Sequence, residues 1–96
     1  MIAPEIRAYI GLLLDKLAGL GCRVVASEYS PECFGNWVVD LTGPTAFRMC
    51  RDRSQFMVTA DRQSIERADL CRAFDDREEF ASLVLAWAAG PRSRCR

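Results

Sequence analysis

The chain has no histidine, and its 96 residues carry Asp plus Glu in the same number as Lys plus Arg. Without an imidazole there is no His general acid or base, no Ser-His-Asp or Cys-His nucleophile system, and no His-containing zinc site. The zero formal net charge is not that of a general nucleic-acid binder, which is usually basic. Lysine is nearly absent: of thirteen basic residues only Lys16 is not Arg. No apolar run approaches the roughly 20 residues of a transmembrane helix. Met1 to Gly21 is apolar but lacks a basic leader and carries Glu5, Arg7, Asp15 and Lys16, so no signal peptide is expected. The five cysteines, Cys22, Cys33, Cys50, Cys71 and Cys95, form no CxxC pair, which argues against a zinc or thioredoxin-like site. Reduced thiols and a cytoplasmic location are expected. Cys33, in a loop, is the best placed of the five to react.

What is present is alternation. Half of the residues are hydrophobic, enough for one modest core in a single domain spanning residues 1–96. Between Phe34 and Ala60 lie three segments of period two. Trp37, Val39 and Leu41 share one side of the first, with Asn36, Val38, Asp40 and Thr42 on the other. Phe47, Met49 and Arg51 alternate with Ala46, Arg48 and Cys50; Phe56, Val58 and Ala60 alternate with Gln55, Met57 and Thr59. One apolar and one mixed face per strand is the pattern of an antiparallel sheet covered on one side. Uniting Trp37, Val39 and Leu41 with Phe47 and Met49 requires an odd loop, such as Gly43-Pro44-Thr45. Uniting Phe47 and Met49 with Phe56 and Val58 requires an even one, either Asp52-Arg53 or four residues around it.

The flanks complete the layers. Pro4 and Glu5 suit a first helical turn, and Ile6, Tyr9, Ile10, Leu13, Leu14 and Leu17 recur at helical spacing. This helix is expected from about Pro4 to Leu20, with Gly21 as the residue after its cap and Gly11 allowing close approach to the sheet. Cys22 to Tyr29 alternates as a first strand, with Cys22, Val24 and Ala26 facing the core and Arg23, Val25, Ser27 and Tyr29 facing away. Ser30 to Gly35 is a loop. Asp61 to Ser64 breaks the last strand, and Asp69 is placed to cap a short turn from Leu70 to Phe74. Asp76 with Glu79 reads as a capping box, with Asp75 and Glu78 as the other register. Phe80, Leu83, Val84 and Trp87 then form the stripe of a closing helix, expected from Arg77 to Ala89 and stopped by Gly90-Pro91. Residues 91–96 are expected to be a flexible basic tail. The expected fold is α+β, a two-layer sandwich in the order α-β-β-β-β-α: a four-stranded antiparallel sheet with both helices on one face.

No catalytic constellation emerges, and neither cofactor nor metal is expected. Asp75, Asp76, Glu78 and Glu79 are explained by capping, since acids belong at a helix N-terminus. Gly43-Pro44-Thr45 is no phosphate loop, having neither the following Gly-Lys-Ser/Thr nor a helix behind it. Arg48, Arg51 and Arg53 cluster on one strand and its turn, but the aromatic residues nearby alternate towards the core, so direct nucleic-acid binding is not expected. The uncovered sheet face is the expected interaction surface. It would show Val25, Tyr29, Val38, Asp40, Arg48, Cys50 and Met57, a mixed patch of the kind that suits protein partners. Glu32 in the loop, with Arg51 and Arg53 at the turn, extends the candidate surface.

The segments Phe34-Gly35-Asn36-Trp37-Val38-Val39-Asp40-Leu41 and Phe47-Arg48-Met49-Cys50-Arg51-Asp52-Arg53-Ser54-Gln55, with the closing helix from Ala73 to Trp87, resemble small bacterial immunity proteins encoded beside polymorphic toxins. Those of contact-dependent growth inhibition are the nearest in pattern. The resemblance covers about two thirds of the chain. It implies a cytoplasmic, non-enzymatic protein that binds a cognate toxin C-terminal domain one to one, often a nuclease. The family shares no catalytic motif, so no residue role is carried over. The alternative expectation is a homodimeric regulatory or accessory module.

Overall fold

The computed structural model of the chain describes residues 2–93, with side chains to residue 90. Helix α1 (Pro4–Gly19) is followed by strands β1 (Arg23–Ser30), β2 (Asn36–Thr42), β3 (Phe47–Asp52) and β4 (Gln55–Thr59). A short helix α2 (Arg62–Arg67) and a long helix α3 (Arg77–Ser93) close the fold. The strands form one sheet in the order β1-β2-β3-β4, with every neighbouring pair antiparallel.

Alternation and register agree over β2 to β4. Val39 lies opposite Met49, Leu41 opposite Phe47, and Met49 opposite Val58. Trp37, Val39, Leu41, Phe47, Met49, Phe56 and Val58 are all buried, as period two requires of one covered face. The β2–β3 connection is odd. Its Gly43 is obligatory, because an added Cβ would collide with the Gly21 carbonyl. The β3–β4 turn is even, but it is Arg53-Ser54 rather than Asp52-Arg53, since Asp52 still pairs with Gln55. Both turn residues have positive φ (53° and 75°), as the type I′ geometry that matches sheet twist demands. Asn36 of β2 braces the turn. Its Nδ2 donates to Asp52 Oδ1 (3.1 Å) and its Oδ1 accepts from the Arg53 N–H (2.9 Å).

The main departure is in β1. The ladder with β2 slips between Val24 and Ala26, so Val25 is an extra residue, a β-bulge. One inserted residue reverses the faces of everything after it. Val24 pairs with Leu41 on the core side, as expected, but Ala26 pairs with Asp40 and turns away. Ser27 then faces Val39, and Tyr29 faces Trp37. Tyr29 is therefore on the core side and packs against the core, not on the open face.

Helix α1 begins with Pro4 at its first position and ends in a Schellman arrangement. Gly21, at φ 89°, donates to the Ala18 carbonyl and Cys22 to that of Leu17, both at 3.0 Å. The helix is kinked at Ile10 (φ −130°, ψ 19°), next to Gly11. Gly11 does not serve the sheet: the space its missing Cβ leaves is bounded by the Arg7 side chain of the same helix.

Helix α2 takes the place of the expected turn at Leu70 to Phe74. Asp61 caps it, accepting from the Ser64 N–H (3.1 Å), and Asp69 lies beyond its end with φ 61°. Residues 70–73 form no helical turn but bend at Cys71 and Arg72, and Phe74 exchanges both backbone hydrogen bonds with Phe56 at 2.8 Å on the free edge of β4. Asp76 caps α3 by accepting from the Glu78 N–H (3.0 Å), while the Glu79 carboxylate meets Arg72 (3.3 Å). Gly90-Pro91 does not stop α3, which runs on to Ser93. A proline this near the end removes only one hydrogen bond of the final turns. Of the expected basic tail, 91–93 are helical and Arg94 to Arg96 lie outside the described residues.

One core unites the layers. Tyr9 of α1 meets both Trp37 and Phe56, with ring centroids 6.4 and 6.0 Å apart. From α3, Phe80 stacks on Phe56 at 5.6 Å and Trp87 sets its edge on Phe47 at 5.1 Å. All three partners belong to the covered sheet face. No helix among the described residues is long and apolar enough to cross a membrane.

Candidate functional site

The other face of the sheet is built from the alternate positions of the same strands. One row across it is Ala26, Asp40, Arg48 and Thr59; the next is Glu28, Val38, Cys50 and Met57. Val38, Asp40, Cys50 and Met57 are half-buried by their neighbours, and Ala26, Glu28, Arg48 and Thr59 are exposed. Val25, pushed out by the bulge, is 56% exposed at the edge. On the inner strands an apolar row, Val38 and Cys50, lies next to a charged one, Asp40 and Arg48.

Arg48 and Asp40 form a two-pronged pair: Nε donates to Oδ1 (2.7 Å) and Nη2 to Oδ2 (3.2 Å). Direct pairing across the ladder sets this geometry, because the two residues are register partners. The hydrogen bond from Arg48, with its charge, holds the Asp40 carboxyl below the usual aspartate range. Reciprocally, the Arg48 guanidinium is held above its ordinary value. Burial pushes the Cys50 thiol up, Asp52 adds to the effect, and Arg48 opposes it.

Of the expected contact residues, the structure unites Val38, Asp40, Arg48 and Met57 on this face. The three arginines do not form one patch. Arg51 lies opposite Trp37 and Phe56, at the end of the core side. Its guanidinium stacks on the Tyr9 ring (4.5 Å) and reaches the Gly35 carbonyl and Ser54 Oγ, both at 3.5 Å. Tyr29 is on that same side. Glu32 is exposed in the loop between β1 and β2, and Arg53 is exposed in the β3–β4 turn.

Those two connections meet at one end of the sheet, where they present a residue the sequence pattern did not single out. Phe34 is 71% exposed and sits at φ 61°. The Arg53 guanidinium lies over its ring at 5.3 Å. The available signal was a Phe beside Gly35 in a loop closed by Pro31 and Gly35. Asn36, which the alternation places simply on a strand, also clamps this turn through Asp52 and the Arg53 N–H.

Elsewhere, a groove of about 520 Å³ runs between α1 and α3, lined by Arg7, Leu12, Lys16, Arg77, Ala81 and Leu85 among others. Arg7 is paired there with Asp15 (3.1 Å), and Arg77 donates to the Ala8 carbonyl (3.3 Å) beside the α1 kink. Among the described residues, no group of three or more Cys, Asp or Glu is placed to hold a metal ion. Asp75 and Asp76 are instead engaged with Gln55 and the α3 N-terminus. Cys33 and Cys71 are exposed free thiols and Cys22 is buried. No protein-family model, curated protein or solved structure matches the chain.

Proposed function

We propose that this chain is a non-catalytic binding protein of the immunity type, which neutralises a cognate toxin domain in the cytoplasm by covering it with the open face of its sheet. The observation that carries the reading is that face itself: a row of Val38, Cys50 and Met57 next to the Asp40–Arg48 pair, with Val25 at the edge. An apolar row beside an ion pair, on an open sheet face, suits a protein partner better than a small ligand or a nucleic acid. The pair is already formed, so its side chains need little further ordering on binding. The sequence resemblance of the hairpin and closing helix to small immunity proteins gives the partner its class.

The test is a pull-down with the tagged chain from lysate of the source cells, with mass spectrometry of the retained protein and the native mass of the complex. A one-to-one complex with the C-terminal domain of a large secreted protein supports the reading. It should weaken on charge reversal at Asp40 or Arg48 while the chain stays folded. Retention of nothing but a second copy, with dimerisation blocked by Val38→Glu, replaces it with the homodimeric module.

A further inference from the structure

The end of the open face carries a feature that folding alone does not reward. Asn36 and Asp52 continue that face beyond Val38 and Cys50, and their side chains are joined at 3.1 Å. From this clamp the Asn36 Oδ1 fixes the Arg53 N–H at 2.9 Å. On the other side of Asn36, two backbone bonds of 3.0 Å tie the loop down, from Cys33 to the Ser30 carbonyl and from Asn36 to that of Cys33. Phe34 is held in the left-handed region, which bulky residues avoid, with most of its ring in solvent. Strain of this kind persists where the surrounding structure over-determines it, and it clusters at binding sites. Among the described residues the Arg53 guanidinium has only the Phe34 ring as partner, so its planar fork of donors is free for an acceptor.

The geometry points to Phe34 and Arg53 as the anchor of a protein interface: the ring enters an apolar pocket of the partner, and the guanidinium takes a carboxylate at the mouth of that pocket. This rests on the reading that the open face binds a protein; it adds that the affinity is concentrated at the end of the sheet beside that face, and what the partner offers there. Arg and the large aromatics are the side chains in which interface energy concentrates. Loop and turn hold both in place before contact, which lowers the ordering cost. A bidentate carboxylate is the acceptor that matches the guanidinium fork.

Photo-crosslinking in the full-length chain tests this. p-Benzoylphenylalanine is placed at Phe34 in one preparation and at Thr59, on the sheet face, in another; each is irradiated in lysate of the source cells. The expected result is one adduct from position 34, with Asp or Glu in the labelled segment and a yield reduced about tenfold or more by Arg53→Glu. Both positions are exposed, so folding is retained and is checked by the urea midpoint. Adducts from Thr59 alone overturn the anchor and leave the binding face standing. Adducts from neither position overturn both. An adduct of twice the chain mass overturns the separate partner in favour of a second copy. An adduct indifferent to Arg53→Glu overturns the carboxylate contact.

Discussion

Arg48 holds both carboxylate oxygens of Asp40 from the directly opposed position of the next strand. The carboxylate is thereby favoured over its protonated form, so Asp40 should titrate below the ordinary value for aspartate, about 3.9. A folded-state value below the unfolded one contributes stability above the unfolded pKa, and that contribution is lost as pH falls through the folded one. In Arg48→Gln the Asp40 midpoint should rise towards the ordinary value, read by carboxyl carbon chemical shifts between pH 2 and 6. Stability at pH 7 should stay near wild type, because an exposed ion pair contributes little. An unchanged midpoint would show that the pair does not persist in solution.

The bulge at Val25 makes a second, sharper expectation. It places Tyr29 on the core side, opposite Trp37, and Glu28 on the open side, opposite Val38. Tyr29→Ala should therefore destabilise the fold by about 2 kcal/mol, roughly half the cost of deleting a fully buried aromatic. Glu28→Ala should stay within about 0.5 kcal/mol of wild type, as surface changes do. Urea unfolding of the two variants measures both. The reverse ranking would remove the bulge and restore Tyr29 to the open face.

Why the sequence was readable in β2 to β4 and misleading in β1 follows from the same residues. In β2, Trp37, Val39 and Leu41 leave only one phase that buries large side chains. In β1 both phases offer apolar groups, Val24 and Ala26 on one side, Val25 and Tyr29 on the other, so alternation alone does not reveal an inserted residue. Helix α2 was missed because it buries only Ile65 and so has no stripe to detect. Its cap was visible in Asp61 and Ser64. Of the candidate surface, Val38, Asp40, Arg48 and Met57 were legible because strand parity fixes their side. Phe34 was not, since pattern reasoning sends a large aromatic inwards and its exposure depends on how two connections meet.

A part-buried side-chain hydrogen bond joins α2 to α3. Trp87 Nε1 donates to Ser64 Oγ at 2.7 Å, while the Trp87 ring packs on Phe47. Ser64→Ala would leave that N–H without its partner, at a cost of about 1–2 kcal/mol. The Asp61 cap uses the Ser64 backbone N–H and survives the change. Trp87→Phe removes the donor with the acceptor still present, and adding Ser64→Ala to it should cost almost nothing more. A double-mutant cycle by thermal or urea unfolding reads the coupling. Strictly additive costs would deny the hydrogen bond.

Thiol reactivity gives a last expectation, one that reports on the open face without any partner. Cys50 lies between Val38 and Met57 on that face, and its thiol is pushed up by burial and by Asp52, with Arg48 opposing. A raised pKa leaves less thiolate at neutral pH, and the thiolate is the species that reacts. Cys33 and Cys71 are exposed to the reagent. Alkylation by iodoacetamide at pH 7, followed by peptide mass mapping, should label Cys33 and Cys71 well before Cys50. Asp52→Asn removes the acid that raises the thiol and should speed Cys50, while Arg48→Gln removes the opposing charge and should slow it further. The opposite signs separate electrostatics from simple access, because loosening of the face in either variant would speed Cys50 in both.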